Sequence, residues 1–290
     1  MNVPQNTACY RFETILFERG VYDEFVDCTY IIHLEGNGRK ERFLKEIRET
    51  PMTRTTIILN NQGYKKCKKT LIDQAPYNDM TDAFLQCFKH AKESGYKNIL
   101  VLEDDFIFDS KIRDPVNVNR VSRFVRSKAG EEFVYFIGAL PLVLLPTMDF
   151  HSYRAVKTQT MHSIIYSEKL IQRWETLNLE AKHWDVIIDQ NVANRYIYEK
   201  PLCYQTFPET ENRKTWSEKD GGPLIGQIKN WFIRVFRMDV DPKDGFAFLY
   251  FFAKFLVVGV VFLLAFFLVL GFGTRLGIRT GSSGHRHRRT

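Results

Sequence analysis

The sequence predicts an α/β fold with a mostly parallel central sheet, followed by one C-terminal transmembrane helix. Three observations carry this expectation. Short apolar runs rich in β-branched and aromatic residues alternate with stretches of helical periodicity from about residue 28 onward. One of these runs, 98–102, is almost continuously apolar, as a strand covered on both faces should be. Near the C-terminus, residues 255–272 carry no charged side chain. At about 1.5 Å per residue they reach close to the roughly 30 Å hydrocarbon core of a bilayer.

Taken in order, 29–34 (TYIIHL) reads as a strand and Gly36-Asn37-Gly38 as a turn, with a helix over 39–49. A second strand comes at 55–60. Residues 79–94 read as a helix, because Ala83, Phe84, Cys87, Phe88 and Ala91 share one face and Gly95 supplies a stop. After the apolar run ending at Leu102, residues 132–138 (EFVYFIG) repeat the buried-strand type. Further on, 224–237 places Leu224, Ile228, Trp231, Phe232, Val235 and Phe236 at helical spacing beside Lys229, Arg234 and Arg237. Such a helix can lie in a lipid headgroup region or pack on the globular domain. No internal repeat is present.

Charge distribution bears on partners. The net charge is +7, yet no acidic residue lies beyond Gly245, and Lys254 with Arg275, Arg279, Arg286, Arg288 and Arg289 accounts for six of those charges. The first 245 residues are left near neutrality, so nucleic-acid binding, which needs a basic stripe on the folded domain, is not expected. A basic flank beside an apolar helix reads first as a membrane-surface feature. The five cysteines show no CxxC or Cys/His pattern and are expected to be free thiols in a reducing compartment. The N-terminus has no apolar run of the secretory type. The expectation is therefore a single-pass C-terminal membrane anchor with the globular domain facing the cytosol.

In α/β sheets, ligands bind beyond the carboxyl ends of the strands. Directly after Leu102 the chain reads Glu103-Asp104-Asp105. Three carboxylates at one strand end repel each other unless a cation is near. Their oxygens suit Mg²⁺ or Mn²⁺, and alternation along an extended chain puts Glu103 and Asp105 on one side as the metal ligands. An ion there would bridge the phosphates of a nucleotide-sugar and neutralise charge on the leaving diphosphate. An acidic cluster after a strand is also a common solvated turn.

The stretch 96–108 (YKNILVLEDDFIF) resembles the "ILVLEDDVxF" segment of glycosyltransferase family 25, the lipopolysaccharide and collagen galactosyltransferases. Tyr30-Ile31-Ile32-His33-Leu34 followed by Arg39, Arg42 and Phe43 is similar to that family's opening "VINLxxxxxRxxRF". Phe136-Ile137-Gly138, His162-Ser163-Ile164-Ile165-Tyr166-Ser167 and Trp184-Asp185-Val186-Ile187-Ile188-Asp189 resemble its later segments in order and spacing. The resemblance implies a GT-A-like nucleotide-sugar-binding domain that inverts at the anomeric carbon, with Mn²⁺ or Mg²⁺ as cofactor. The donor would be a UDP-sugar carrying galactose or glucose, and the acceptor a glycan, protein or lipid hydroxyl. It places Ile31, His33, Arg39 and Asp104 on the nucleotide side, with Arg39 or Arg42 toward phosphate. Asp185 or Asp189 would be the catalytic base, four residues apart on one helix face. His162 and His183 are lesser candidates for a metal nitrogen, and Trp184 and Trp216 for stacking on a sugar. The expected domains are an N-terminal extension (1–27), a catalytic domain (28–215), a linker with an amphipathic helix (216–245), the membrane helix (246–273) and a basic tail (274–290).

Overall fold

A computed structural model describes residues 7–180, 183–207 and 223–275. Trp216, the expected boundary at 215/216 and most of the basic tail lie outside the described residues. In chain order the elements are β1 (Tyr10–Leu16), β2 (Cys28–Leu34), α1 (Lys40–Glu49), β3 (Thr55–Asn61), α2 (Pro76–Glu93), β4 (Ile99–Glu103), β5 (Phe106–Phe108) and α3 (Pro115–Ser127). They continue as β6 (Val134–Pro146), β7 (Ser152–Tyr166), α4 (Glu168–Gln172), α5 (Trp184–Asn191), β8 (Arg195–Tyr198), β9 (Cys203–Gln205), α6 (Pro223–Val235) and α7 (Lys243–Arg275). Helix α2 begins three residues earlier than the periodicity predicts, because Pro76 suits a first turn whose N–H groups have no helical partner.

Seven strands form one sheet in the order β1-β3-β2-β4-β7-β6-β8, and β5 pairs with β9 apart from it. Side chains alternate across the sheet. Tyr30, Ile32, Val101, Phe136 and Ile164 face α2 and α5, whereas Ile31, Ile58, Leu100, Leu102 and Tyr135 face α1 and α3. Both faces are thus covered by helices, and each fully buried large apolar side chain contributes about 1.5–3 kcal/mol.

The sheet is not mostly parallel. Only β2–β3, β2–β4 and β6–β8 are parallel, while β1–β3, β4–β7, β6–β7 and β7–β8 are antiparallel. Two features make it mixed. Residues 10–16 add an antiparallel edge, and β6 and β7 form a long hairpin that inserts β7 beside β4. The 132–138 run covers only the first part of β6, which continues through the equally apolar but less completely covered residues 139–146, where Gly138 and Pro141 break the strand signal.

The expected transmembrane helix is not met either: among the described residues no helix is long and apolar enough to cross a membrane. The single-pass anchor, and the cytosolic orientation argued from it, fall with that. Helix α7 uses its early apolar residues for packing, with Phe246, Tyr250 and Ala253 buried against the domain. Lys254, expected to snorkel to a lipid interface, instead donates to the Glu199 carbonyl and lies 5.1 Å from the Tyr153 ring centroid. Helix α6 resolves the two readings of 224–237 toward packing, since Ile233 is buried and Phe232 and Phe236 pack on the core. A further correction concerns the cysteines. Cys9 and Cys67 form a disulfide, whereas Cys28, Cys87 and Cys203 are free and buried.

Candidate active site

Strand β4 delivers the acidic triplet. Its last residue, Glu103, pairs with Ile32 of β2, and the chain then turns into β5. Pairing of Phe106 with Gln205 brings β9 alongside, and Thr206 N–H donates to the Asp105 carbonyl at 3.0 Å. Gly138 permits this approach, because a Cβ there would come within 2.3 Å of the Cys203 carbonyl oxygen. The turn at Asp104-Asp105 then sorts the carboxylates. Glu103 and Asp105 share one side, where Gln205 Nε2 donates to Glu103 at 3.3 Å and to both Asp105 oxygens at 3.1 Å.

Asp104 faces the other way, into the β2–α1 loop. It accepts from Leu34 N–H at 3.2 Å, Asn37 Nδ2 at 2.6 Å and Arg39 Nη1 at 2.8 Å. His33 Nδ1 lies 2.8 Å away and carries the proton toward it, since an ionised carboxylate can only accept. Burial alone would push the Asp104 carboxyl up. The His33 hydrogen bond, the Arg39 charge and Asn37 outweigh it and hold the group below the usual range. Its neighbours go the opposite way. Burial, then repulsion from Asp105 and Asp104, raises Glu103 well above its ordinary value against partial relief from Arg39. Burial also lifts Asp105, to about 6, despite the nearby Arg39.

A cavity of about 560 Å³ opens beside the triplet, with Glu103, Gln205, Asp185 and His183 in its lining. The two candidate bases separate here. Asp185, in the first turn of α5, lines the cavity, and burial raises its carboxyl against opposing effects of His183 and the Val186 N–H. Asp189, one turn on, is held between Lys157 and Arg195. Trp184 stacks on Phe84 at 4.7 Å and donates to Tyr166 Oη at 2.8 Å, so its rings serve the core as well as the cavity wall. His162 is wholly buried against the Cys203 carbonyl, its pKa lowered to about 4 by burial, and it is not part of the cavity lining.

On the α1 side, a smaller cavity of about 330 Å³ is lined by Arg11, His33, Gly36, Gly38, Lys40 and Asn60, among others. Gly36 and Gly38 take φ of 81° and 76°, a conformation that suits glycine. Ile31 is fully buried in the core below it. Arg42 donates to Thr206 Oγ1 at 3.1 Å, yet its Nε and Nη2 are buried without a hydrogen-bond partner. Unpaired buried guanidinium donors are costly unless an anion completes them.

No group of three or more His, Cys, Asp or Glu side chains is arranged to hold a metal among the described residues. Two carboxylates and the Gln205 amide do converge, and Gln205 Oε1 is buried without a partner. That donor set fits a hard divalent cation, which takes one or two carboxylates and completes its shell with phosphate oxygens and water. Gln205 was not visible from sequence, because β9 is three residues long and has no pattern to read.

No family model and no curated protein matches this chain. Among solved structures it is similar to A197 from STIV, at 9% identity over 62% of this chain and 86% of that one, with a TM-score of 0.38. It is also similar to a putative glucose-1-phosphate thymidylyltransferase from Bacillus anthracis in complex with a sucrose (14% identity, 61% and 69% covered, TM-score 0.32). UTP-bound UGPase from Acinetobacter baumannii stands at 14% identity, 71% and 70% covered, and a TM-score of 0.32. Likenesses at these scores carry no argument about this chain's chemistry, which rests on its own residues.

Proposed function

We propose that this chain is an inverting hexosyltransferase that moves galactose or glucose from a UDP-sugar to a hydroxyl acceptor with the help of Mn²⁺ or Mg²⁺. The observation that carries the reading is that Glu103 and Gln205 line a cavity that also holds Asp185, with Asp105 tied to the same Gln205 amide. Glu103 and Asp105 would hold the cation, which when bound supplies Lewis-acid neutralisation of the diphosphate leaving group. Arg42 and Arg39 bind the diphosphate, Arg42 through donors that otherwise stay buried and unpaired. Asp104 orients Arg39 and His33 and so shapes the nucleotide side of the site. Asp185 takes the proton from the attacking acceptor hydroxyl. Its burial-raised carboxyl is a better proton acceptor than an exposed aspartate, and such a base contributes about 10²–10⁴-fold in rate. Attack from the side opposite the leaving group inverts the anomeric carbon.

The test is a donor-hydrolysis screen on the full chain, because α7 residues are part of the core. A panel of nucleotide-sugars is assayed with Mn²⁺, Mg²⁺ or EDTA, beside Asp105→Ala. Metal-dependent UDP release lost in the variant supports the proposal and names the donor. No release, together with no metal-dependent binding of UDP, refutes it and leaves an inactive binding protein as the better account.

A further inference from the structure

We infer that the acceptor is a lipid-type alcohol, a hydroxyl carried on an aliphatic chain, and that the chain lies along the wall of the larger cavity. This rests on the transferase reading for the word acceptor, but the occupant is argued from the cavity alone. Its polar residues come mainly from β4, β7, α5 and β9, and they include Glu103, Asp185 and Gln205. The parts contributed by β6 and by α6, α7 and the segment joining them are different in kind. Leu140, Leu142, Ile228, Phe232, Met238 and Leu249 are apolar, and Lys229 is the polar residue among what those helices supply.

A sugar acceptor presents hydroxyls all round and needs donors and acceptors along its whole length. A peptide needs partners for its backbone N–H and C=O groups. Neither is provided by a wall of leucine, methionine and phenylalanine side chains. An alkyl chain needs only to leave water, and it gains about 0.8 kcal/mol for each methylene buried. The volume, about 560 Å³, is ample for a small ligand's body. Continuity decides where the reactive end sits. The apolar wall and the carboxylate Asp185 belong to one cavity, so a chain seated on the wall presents its terminal hydroxyl toward the base.

The test is equilibrium binding, by calorimetry on the full chain, of n-hexanol, n-octanol and n-decanol, with methyl glucoside and lactose as polar controls. Wild type is measured beside Leu142→Asp and, should that variant fail to fold, Leu140→Gln. Affinity is expected to rise about tenfold for each added pair of methylenes, in line with their transfer free energy. That increment is expected to vanish in the cavity variants, and the sugars are expected not to bind. A flat chain-length series overturns the inference. So does an increment that the cavity variants leave intact, which would assign the alcohols to the exposed phenylalanines of α7, such as Phe251, Phe255 and Phe262. Sugar binding in place of alcohol binding overturns it too and names a glycan instead. If the alcohols bind as expected but no nucleotide-sugar is hydrolysed, the transferase reading fails while the apolar occupant stands.

Discussion

Adjacent carboxylates in this protein should respond to the same substitution in opposite ways. Asp105 is 6% exposed, and burial moves its pKa from an ordinary 3.8 to about 6. Each pH unit of displacement is worth about 1.4 kcal/mol, so at pH 7 its charge destabilises the metal-free fold by roughly 3 kcal/mol. Between pH 3.8 and 6 the folded protein holds a proton that the unfolded chain has released. This contribution to stability therefore rises as pH falls through 6, and the penalty, full above pH 6, is gone below 3.8. Asp105→Asn removes the charge and should raise Tm at pH 7 by roughly 5–8 °C in EDTA, with the gain shrinking toward pH 4. Asp104→Asn should do the reverse. It strips the charge that Arg39 and His33 face in a largely buried setting, at a cost of about 3–5 kcal/mol. Thermal denaturation of the three proteins from pH 4 to 8 measures both. Equal destabilisation by the two substitutions at pH 7 would refute the argument that their different surroundings give these residues separate roles. Mn²⁺ with UDP should then stabilise wild type and not Asp105→Asn.

Three further outcomes are expected. Asp185→Asn should lower turnover about 10²–10⁴-fold with UDP affinity kept, whereas Asp189→Asn should act chiefly on the melting temperature, because Asp189 is ion-paired to Lys157 and Arg195. Steady-state kinetics set beside melting curves separates the two. Arg42→Ala should weaken UDP binding by about tenfold or more, one charge-assisted hydrogen bond being worth about 1.5–3 kcal/mol, and should leave Tm nearly unchanged or higher; calorimetry and thermal melts report each. Cys9→Ser should cost about 2–4 kcal/mol in oxidising buffer, since the bridge closes a sequence separation of 58 residues, and reductant should abolish the difference in denaturant titrations.

Local patterns were legible where one strand or helix contains the whole signal. The strands at 28–34, 55–61 and 99–103 and the apolar face of α2 follow from periodicity, because each is covered on the face its own residues predict. Sheet polarity was not legible. Whether β7 enters parallel or antiparallel to β4 depends on the β6–β7 turn, which leaves no mark on the apolar pattern of either strand. The C-terminal run misled for a related reason. Hydropathy cannot tell whether an apolar residue faces lipid or protein, and at the start of the expected membrane helix Phe246, Tyr250 and Ala253 face protein. The disulfide was hidden because Cys9 and Cys67 are brought together by the pairing of β1 with β3, a contact between residues far apart in sequence.

The candidate site divides along the same line. Gln205 donates to both Glu103 and Asp105, yet the extended chain assumed in placing them on one side is absent, because Asp104 and Asp105 form the turn that follows β4. What the local sequence also could not supply is why these charges are tolerated. The answer is non-local. Arg39 comes from the start of α1, Gln205 from β9 and Arg42 reaches toward Thr206, all delivered by strand order. These cations and donors do not neutralise the cluster, since Glu103 and Asp105 still sit above their ordinary pKa values. A fold selected only for stability would replace one of these carboxylates with an amide, as the Asp105→Asn argument quantifies. Retaining both beside an arginine with unpaired buried donors fits a site whose electrostatics close only when a cation and an anion arrive together. A metal-bound nucleoside diphosphate is such a pair. The prediction is therefore cooperative: Mn²⁺ alone and UDP alone should each shift Tm less than the two combined, and additive shifts would argue against one shared site.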